Sequence, residues 1–160
     1  MRIGFASDIH RLVYGRKLML GGVNVPHFLG ELAHSDGDVV YHAVAESILG
    51  ALAAGDLGTH FPDSDKKTEG MDSSVIMDYV YKLMNERGYE INNLDVSIYL
   101  EEPKLKNYKN EMKANIAKLL HTNEENVSVK AGTNESLDAV GQRLAVKADC
   151  IVMLKDIERN

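Results

Sequence analysis

The segment that most limits the fold runs from Asp38 to Ala54, DVVYHAVAESILGALAA. It places Val40, Val44, Ile48 and Leu52 four residues apart. The stretch is too long for an ordinary strand, and that spacing lines one face of an α-helix. Asp36 or Asp38 can cap its start, and Gly55 suits its end. A helix with such a face must be covered by a second layer. The surrounding sequence supplies one.

Arg2 to Ile9 is short and β-prone and reads as a strand. KLMLGGVNVP, from Lys17 to Pro26, has two apolar runs around Gly21-Gly22 and predicts a hairpin. Gly55 to Gly70 is rich in Gly, Asp and Ser and reads as a loop. Asp72 or Ser73 opens a second helix, with Val75, Ile76, Tyr79, Val80 and Leu83 on its buried side and Gly88 at its end. Leu94 to Leu100 alternates as a strand that Pro103 breaks. Leu105, Tyr108, Met112, Ile116 and Leu119 mark a third helix ending near His121. Val127 to Ala131 and Ala148 to Leu154 read as strands, and Ser136 to Arg143 as a turn or short helix between them. The expectation is an α+β fold: a two-layer α/β sandwich with helices on one face of a mixed sheet. The other sheet face then needs cover, and oligomerisation provides it.

Composition bounds the function classes. With 160 residues the chain is expected to form a single domain spanning 1–160. It needs no disulfide, and the one cysteine, Cys150, cannot form an internal bridge, which fits a reducing cytoplasm. No apolar run approaches the ~20 residues that cross a bilayer. The start, MRIGFASDIH, has no apolar signal core, so secretion is not expected. A net charge of -6 without a basic block disfavours nucleic acid as a partner. It leaves room for a phosphorylated substrate received by a metal ion or by backbone N–H groups.

The histidines are concentrated: of six, five lie in the first 60 residues, namely His10, His27, His34, His42 and His60. Asp8 and His10 are two apart at the end of a strand and share a face. Alone, such a pair is commonplace. His42 lies off the apolar stripe of the first helix, on the face of Glu46, and can supply a third ligand. Three protein ligands with one open position is the catalytic zinc arrangement. Glu46 can then either orient the His42 ring or form an exposed ion pair. His34, Ser35 and Asp36 precede the helix as a capping turn relieved by Gly37, with His34 at the rim of the metal site. After the penultimate strand, Gly132 permits close approach of a ligand, Thr133 offers a hydroxyl, and Glu135 is a hard oxygen ligand suited to magnesium. These residues alone leave open a metal-dependent phosphoesterase and a trimeric nucleotide-binding module without turnover.

Taken together, the motifs resemble one family, 2-C-methyl-D-erythritol 2,4-cyclodiphosphate synthase of the non-mevalonate isoprenoid pathway. The matching stretches are RIG…D-x-HR (Arg2 to Arg11), LGGVxVP (Leu20 to Pro26), AHSDGDVxxHA (Ala33 to Ala43), GDLGxxFPDSD (Gly55 to Asp65), E-P-K-L (Glu102 to Leu105) and VKAGTNE (Val129 to Glu135). The resemblance implies a lyase that cyclises 4-diphosphocytidyl-2-C-methyl-D-erythritol 2-phosphate and releases CMP. It implies that Asp8, His10 and His42 bind zinc and that Glu135 lies near a magnesium or manganese ion on the diphosphate. His34 and Thr133 would stabilise the transition state. Asp56 and Gly58 would contact the methylerythritol, and Ser35, Phe61, Asp63 and Asp65 complete that part of the substrate set. Leu100, Pro103, Lys104, Leu105 and Lys106, with Ala131, Gly132 and Thr133, would hold the cytidine and diphosphate. It also implies a homotrimer with sheets facing inward and active sites shared between subunits. The chain departs from the family pattern in three places. Phe5-Ala6-Ser7 replaces a glycine-rich run, and Gly132-Thr133-Asn134 replaces a run of threonines. From Leu137 to Ala145, Ala139 stands for the family Phe and Gln142 for the family Arg.

Overall fold

The computed structural model describes residues 1–62 and 70–158. Five strands form one mixed sheet in the order β4-β1-β7-β5-β6, and β2 and β3 form a separate hairpin. The strands are β1 (Arg2–Tyr14), β2 (Leu18–Leu20), β3 (Val23–Val25), β4 (Leu29–Leu32), β5 (Tyr89–Tyr99), β6 (Val127–Gly132) and β7 (Ala145–Asp156). The helices are α1 (Val39–Ala51), α2 (Leu57–His60), α3 (Ser74–Glu86), α4 (Lys109–Leu119) and α5 (Asp138–Gly141). Only β5 and β6 run parallel, linked through α4, while β1–β4, β1–β7 and β5–β7 are antiparallel. This is the expected α+β sandwich. Among the described residues no helix is long and apolar enough to cross a membrane.

Several boundaries differ from expectation. β1 continues past Ile9 to Tyr14 because its second half finds a partner in β4, with Arg11 opposite Leu32 and Tyr14 opposite Leu29. Asp8 and His10 are therefore mid-strand and not at a strand end. β4 has four residues and no alternation, so the sequence gives no signal for it. The segment after Gly55 holds the short helix α2, and α5 lies within the stretch Ser136 to Arg143. In α3 the buried residues are Ile76, Met77, Val80 and Met84, whereas Val75 and Tyr79 are exposed. The helix is rotated by about one position because Tyr79 packs on Phe61 and its hydroxyl meets His60 Nδ1 at 2.7 Å, outside the core.

α1 corrects the picture of a one-sided helix. Val40, Val44, Ile48 and Leu52 are buried as expected, but so are Val39, Tyr41, Ala43, Ala45, Ser47, Leu49 and Ala51. The helix is covered almost all round, and its remaining openings are half-buried His42 and Glu46 and exposed Gly50. Asp38 caps its start. At the other end, carbonyls of the last turn receive tertiary donors: Arg2 Nε donates to Ala51 O, and Arg87 Nη1 to Leu52 O at 2.8 Å.

β1 allows this close packing at Gly4. A Cβ built there would lie 1.9 Å from Ser47 O and 2.6 Å from Ala51 N. Both obstacles are backbone atoms of the central helix, which cannot yield without lifting α1 off the sheet. Gly4→Ala is therefore expected to destabilise the protein by about 3 kcal/mol or more, read as a lowered midpoint in chemical denaturation. A midpoint within error of the unsubstituted protein would refute this packing.

Candidate metal centre and second cleft

The sheet puts two ligands on its helix-covered face. Asp8 and His10, two apart on β1, point to the side on which α1 lies, and α1 brings His42 against them. Asp8 Oδ2 is 3.0 Å from His10 Nε2 and 3.4 Å from His42 Nδ1, and the two imidazole nitrogens are 3.3 Å apart. Asp8, His10 and His42 are the group among the described residues whose donor atoms converge in a way that can hold a metal ion.

Each ligand is held at its far side. Asp8 Oδ1 accepts the Ile9 N–H at 2.8 Å, leaving Oδ2 for the centre. His10 Nδ1 lies 2.8 Å from the Gly37 carbonyl. A carbonyl can only accept, so Nδ1 carries a proton and Nε2 faces Asp8. Buried Glu31 approaches the same Nδ1 at 3.0 Å and accepts the Val39 N–H at 3.1 Å, so one side chain ties β4 to the His10 ring and to the first residue of α1. His42 is set by a relay. Ser73 Oγ donates to Asp36 Oδ1, so it can only accept from His42 Nε2, 3.1 Å away. The His42 Nδ1 lone pair is thereby turned to the centre. This donor set, one carboxylate and two oriented neutral imidazoles, fits a divalent transition metal.

The electrostatics agree with a cation site. Burial tends to raise the Asp8 carboxyl, but His10 and His42 outweigh it and hold it well below the usual carboxylate range. Burial opposes the charged form of His10, yet Asp8 and Glu31 raise it well above its ordinary value. A bound cation would take the place of the proton that these two carboxylates favour on His10.

The centre opens into a cleft of about 410 Å³ whose lining includes His34, Ser35, Glu46, Leu57, Gly58, Phe61 and Met71. His34 is half-buried, and its Nε2 is sealed from solvent without a hydrogen-bond partner. A second cleft, about 160 Å³, lies where the chain leaves β5 and β6. Its lining includes Leu100, Pro103, Lys104, Leu105, Lys106, Ala131, Gly132 and Thr133. Tyr99 pairs with Gly132, and the Leu100 N–H donates to Gly132 O at 3.0 Å, which fixes the two segments side by side. The clefts share no lining residue.

Comparison with known proteins gives this arrangement a family. The chain matches the YgbB family over residues 1–155. The 2-C-methyl-D-erythritol 2,4-cyclodiphosphate synthases of Brachyspira hyodysenteriae and Fusobacterium nucleatum are each 48% identical to it over 155 residues, covering 97% of this chain and 98% and 97% of theirs. The chain belongs to the 2-C-methyl-D-erythritol 2,4-cyclodiphosphate synthase family. Among solved structures, a CDP complex of the Plasmodium falciparum relative matches with a TM-score of 0.87 at 33% identity, covering 98% of this chain and 97% of that one. The bifunctional protein IspDF of Campylobacter jejuni matches with a TM-score of 0.94 at 36% identity, covering 98% of this chain and 42% of that chain.

Within this family member, the structure sorts the expected site residues into groups. Asp8, His10, His34, Ser35, His42, Gly58 and Phe61 gather at the metal cleft, and the eight residues from Leu100 to Thr133 gather at the second. Asp56 lines neither cleft; it caps α2, accepting the Thr59 N–H at 2.9 Å. Glu135 is exposed, lines neither cleft, and accepts the Thr133 hydroxyl at 3.2 Å. Asp63 and Asp65 lie outside the described residues. Among the described residues Glu46 makes neither the His42 contact nor an ion pair; it accepts the Leu57 N–H at 3.1 Å and fixes the start of α2. Glu31 and Ser73 were not expected at the site. A lone Glu in LGEL and a helix-opening Ser carry no local signal of what they touch. Lys109 also lines the second cleft unannounced.

The relay predicts that Ser73→Ala lowers divalent-metal affinity about ten-fold or more, measured by competition with a chromophoric chelator using Zn²⁺ as probe. Unchanged affinity would break the relay argument. The raised His10 predicts a sign with pH. At about pH 7.5 metal binding releases a proton, and affinity falls as the pH is lowered because protons compete better for Nε2. Calorimetry in buffers of different ionisation enthalpy reads this directly, and a heat independent of buffer would contradict it.

Proposed function

We propose that the metal cleft is where this cyclodiphosphate synthase closes its ring: the 2-phosphate of 4-diphosphocytidyl-2-C-methyl-D-erythritol 2-phosphate attacks the β-phosphorus of its own diphosphate. A new P–O bond forms at the β-phosphorus, and the bond from it to the bridging oxygen breaks. CMP leaves with that oxygen. The substrate supplies its own nucleophile, so the protein's task is to hold two repelling anions in line and to balance their charge. The observation that carries this reading is the Asp8–His10–His42 geometry, with each ligand anchored at its far side.

Asp8, His10 and His42 would hold zinc, which would supply positive charge to a phosphoryl oxygen, and Glu135 would stand near a magnesium or manganese ion on the diphosphate. The remaining work falls to the chain. His34 lines the cleft and is placed to hydrogen-bond a phosphate there. Gly58, Ser35 and Phe61, with Asp56 beside them, frame the methylerythritol, and Asp63 and Asp65 belong to this set. The second cleft takes cytidine through Leu100 to Lys106, while Ala131 and Gly132 bring backbone close to the diphosphate and the Thr133 hydroxyl meets it.

The two clefts of one chain are separate, which supports a site shared between subunits of a homotrimer. The outer sheet face supports the same assembly. Ile3, Phe5 and Ile9 are 63%, 64% and 53% exposed on β1, and Ile151 is 49% exposed on β7 beside Phe5. Such a patch on a soluble monomer calls for a partner. The cytoplasm remains the expected location.

Phosphorus NMR of the protein with substrate, zinc and magnesium should show a cyclic diphosphate and CMP, abolished by a chelator. His34→Ala should keep its zinc and lose about a hundred-fold in kcat. Inorganic phosphate without a cyclic product would instead mark a phosphoesterase, and binding without turnover a nucleotide-binding module. For the assembly, Phe5→Glu should convert a trimer to smaller species in sedimentation; a monomeric unsubstituted protein would reject the trimer.

A further inference from the structure

Among the described residues, the second cleft is lined by three lysines, Lys104, Lys106 and Lys109, and by no carboxylate. This is unusual for a chain of net charge -6. The acid nearest Lys109 in sequence, Glu111 in the first turn of α4, does not line the cleft, and Glu101 and Glu102 are engaged with other partners. Glu101 Oε1 accepts the Asn134 N–H at 2.8 Å, and Glu102 pairs with Arg143 at 3.0 Å. Among the described residues none of the three lysines is in an ion pair. The cleft thus keeps a positive charge that its own protein does not neutralise.

Lys109 differs from the other two. Lys104 and Lys106 are exposed on a loop, whereas Lys109 is half-buried and is the first residue of α4. A lysine there opposes the positive end of the helix dipole, so helix stability does not account for it. An anion in the cleft reverses the sign of that argument. The fold also says which end of the cleft Lys109 serves. β5 and β6 are parallel, so α4 runs back between them and starts at their carboxyl ends. Gly132 and Thr133 lie at that same end.

We propose that Lys109 is a further ligand-binding residue of this cleft, drawing the phosphate portion of a pyrimidine nucleotide to the Gly132–Thr133 end. The inference rests on the nucleotide reading of the cleft given above. The test compares CDP with cytidine on the intact oligomer in the presence of Mg²⁺, by NMR titration, for the unsubstituted protein, Lys109→Gln and Lys109→Arg. Lys109→Gln should weaken CDP binding about five- to twenty-fold and leave cytidine binding unchanged. Lys109→Arg should retain CDP affinity, and added salt should narrow the gap between the Gln variant and the unsubstituted protein. Equal weakening of both ligands would overturn the inference by placing Lys109 against the base, and no change in either would overturn it outright. If the unsubstituted protein fails to bind CDP, the nucleotide reading itself falls, a result distinct from normal CDP binding that Lys109→Gln leaves intact.

Discussion

The carboxylate of Asp38 holds the architecture of the site together. It is fully buried and accepts four backbone N–H groups: Gly21 at 2.9 Å, Gly22 at 2.7 Å, Val40 at 3.1 Å and Tyr41 at 3.0 Å. Two belong to the turn between β2 and β3, and two to the first turn of α1. Burial pushes the Asp38 carboxyl up to about 6 even against these donors, which leaves it charged at neutral pH. Charge-assisted bonds of this kind are roughly twice as strong as neutral ones, and each buried N–H left without a partner costs about 1–3 kcal/mol. The start of α1 is therefore fixed in position and in rotation. His42, one turn further along, inherits both.

With α1 fixed, its surroundings decide its chemistry. The helix is walled by the sheet, by α3 and by the hairpin, and its polar openings are His42 and Glu46. At Gly4 the helix backbone touches the strand backbone, which brings His42 within reach of Asp8 and His10 on the same strand. Glu31 then links β4, His10 and the first residue of α1 through one buried side chain. Metal ligands from a strand and a helix can stay mutually oriented only if the two elements cannot slide, and these contacts prevent it.

The second cleft has a different origin. It lies at the carboxyl ends of the one parallel strand pair, where a crossover helix begins, a common place for ligands in sheets of this kind. Its lining comes from chain leaving β5 and β6 and from the start of α4. Among the described residues the outer sheet face leaves Ile3, Phe5 and Ile9 on β1 and Ile151 on β7 exposed.

Much of this was legible in the sequence. Period-two and period-four spacing located the central helix, the hairpin and most strands, because local backbone geometry alone dictates that periodicity. Asp8, His10 and His42 could be named from spacing and motif, and Leu100 to Lys106 with Ala131 to Thr133 from resemblance. Other features are tertiary by nature. β4 exists because β1 offers it an edge. Val75 and Tyr79 lie outside the core because α3 is turned by its packing, which a pattern of apolar residues does not specify. Asp38 reads as a helix cap, but nothing local says that it also holds the β2–β3 turn. Glu31, Ser73 and Lys109 take their roles from partners distant in the chain. Sequence determined which residues are candidates for the chemistry, through side-chain identity and local period. Tertiary structure decided which nitrogen of each imidazole faces the candidate centre and which charges go unneutralised, because those depend on contacts between elements far apart in the chain.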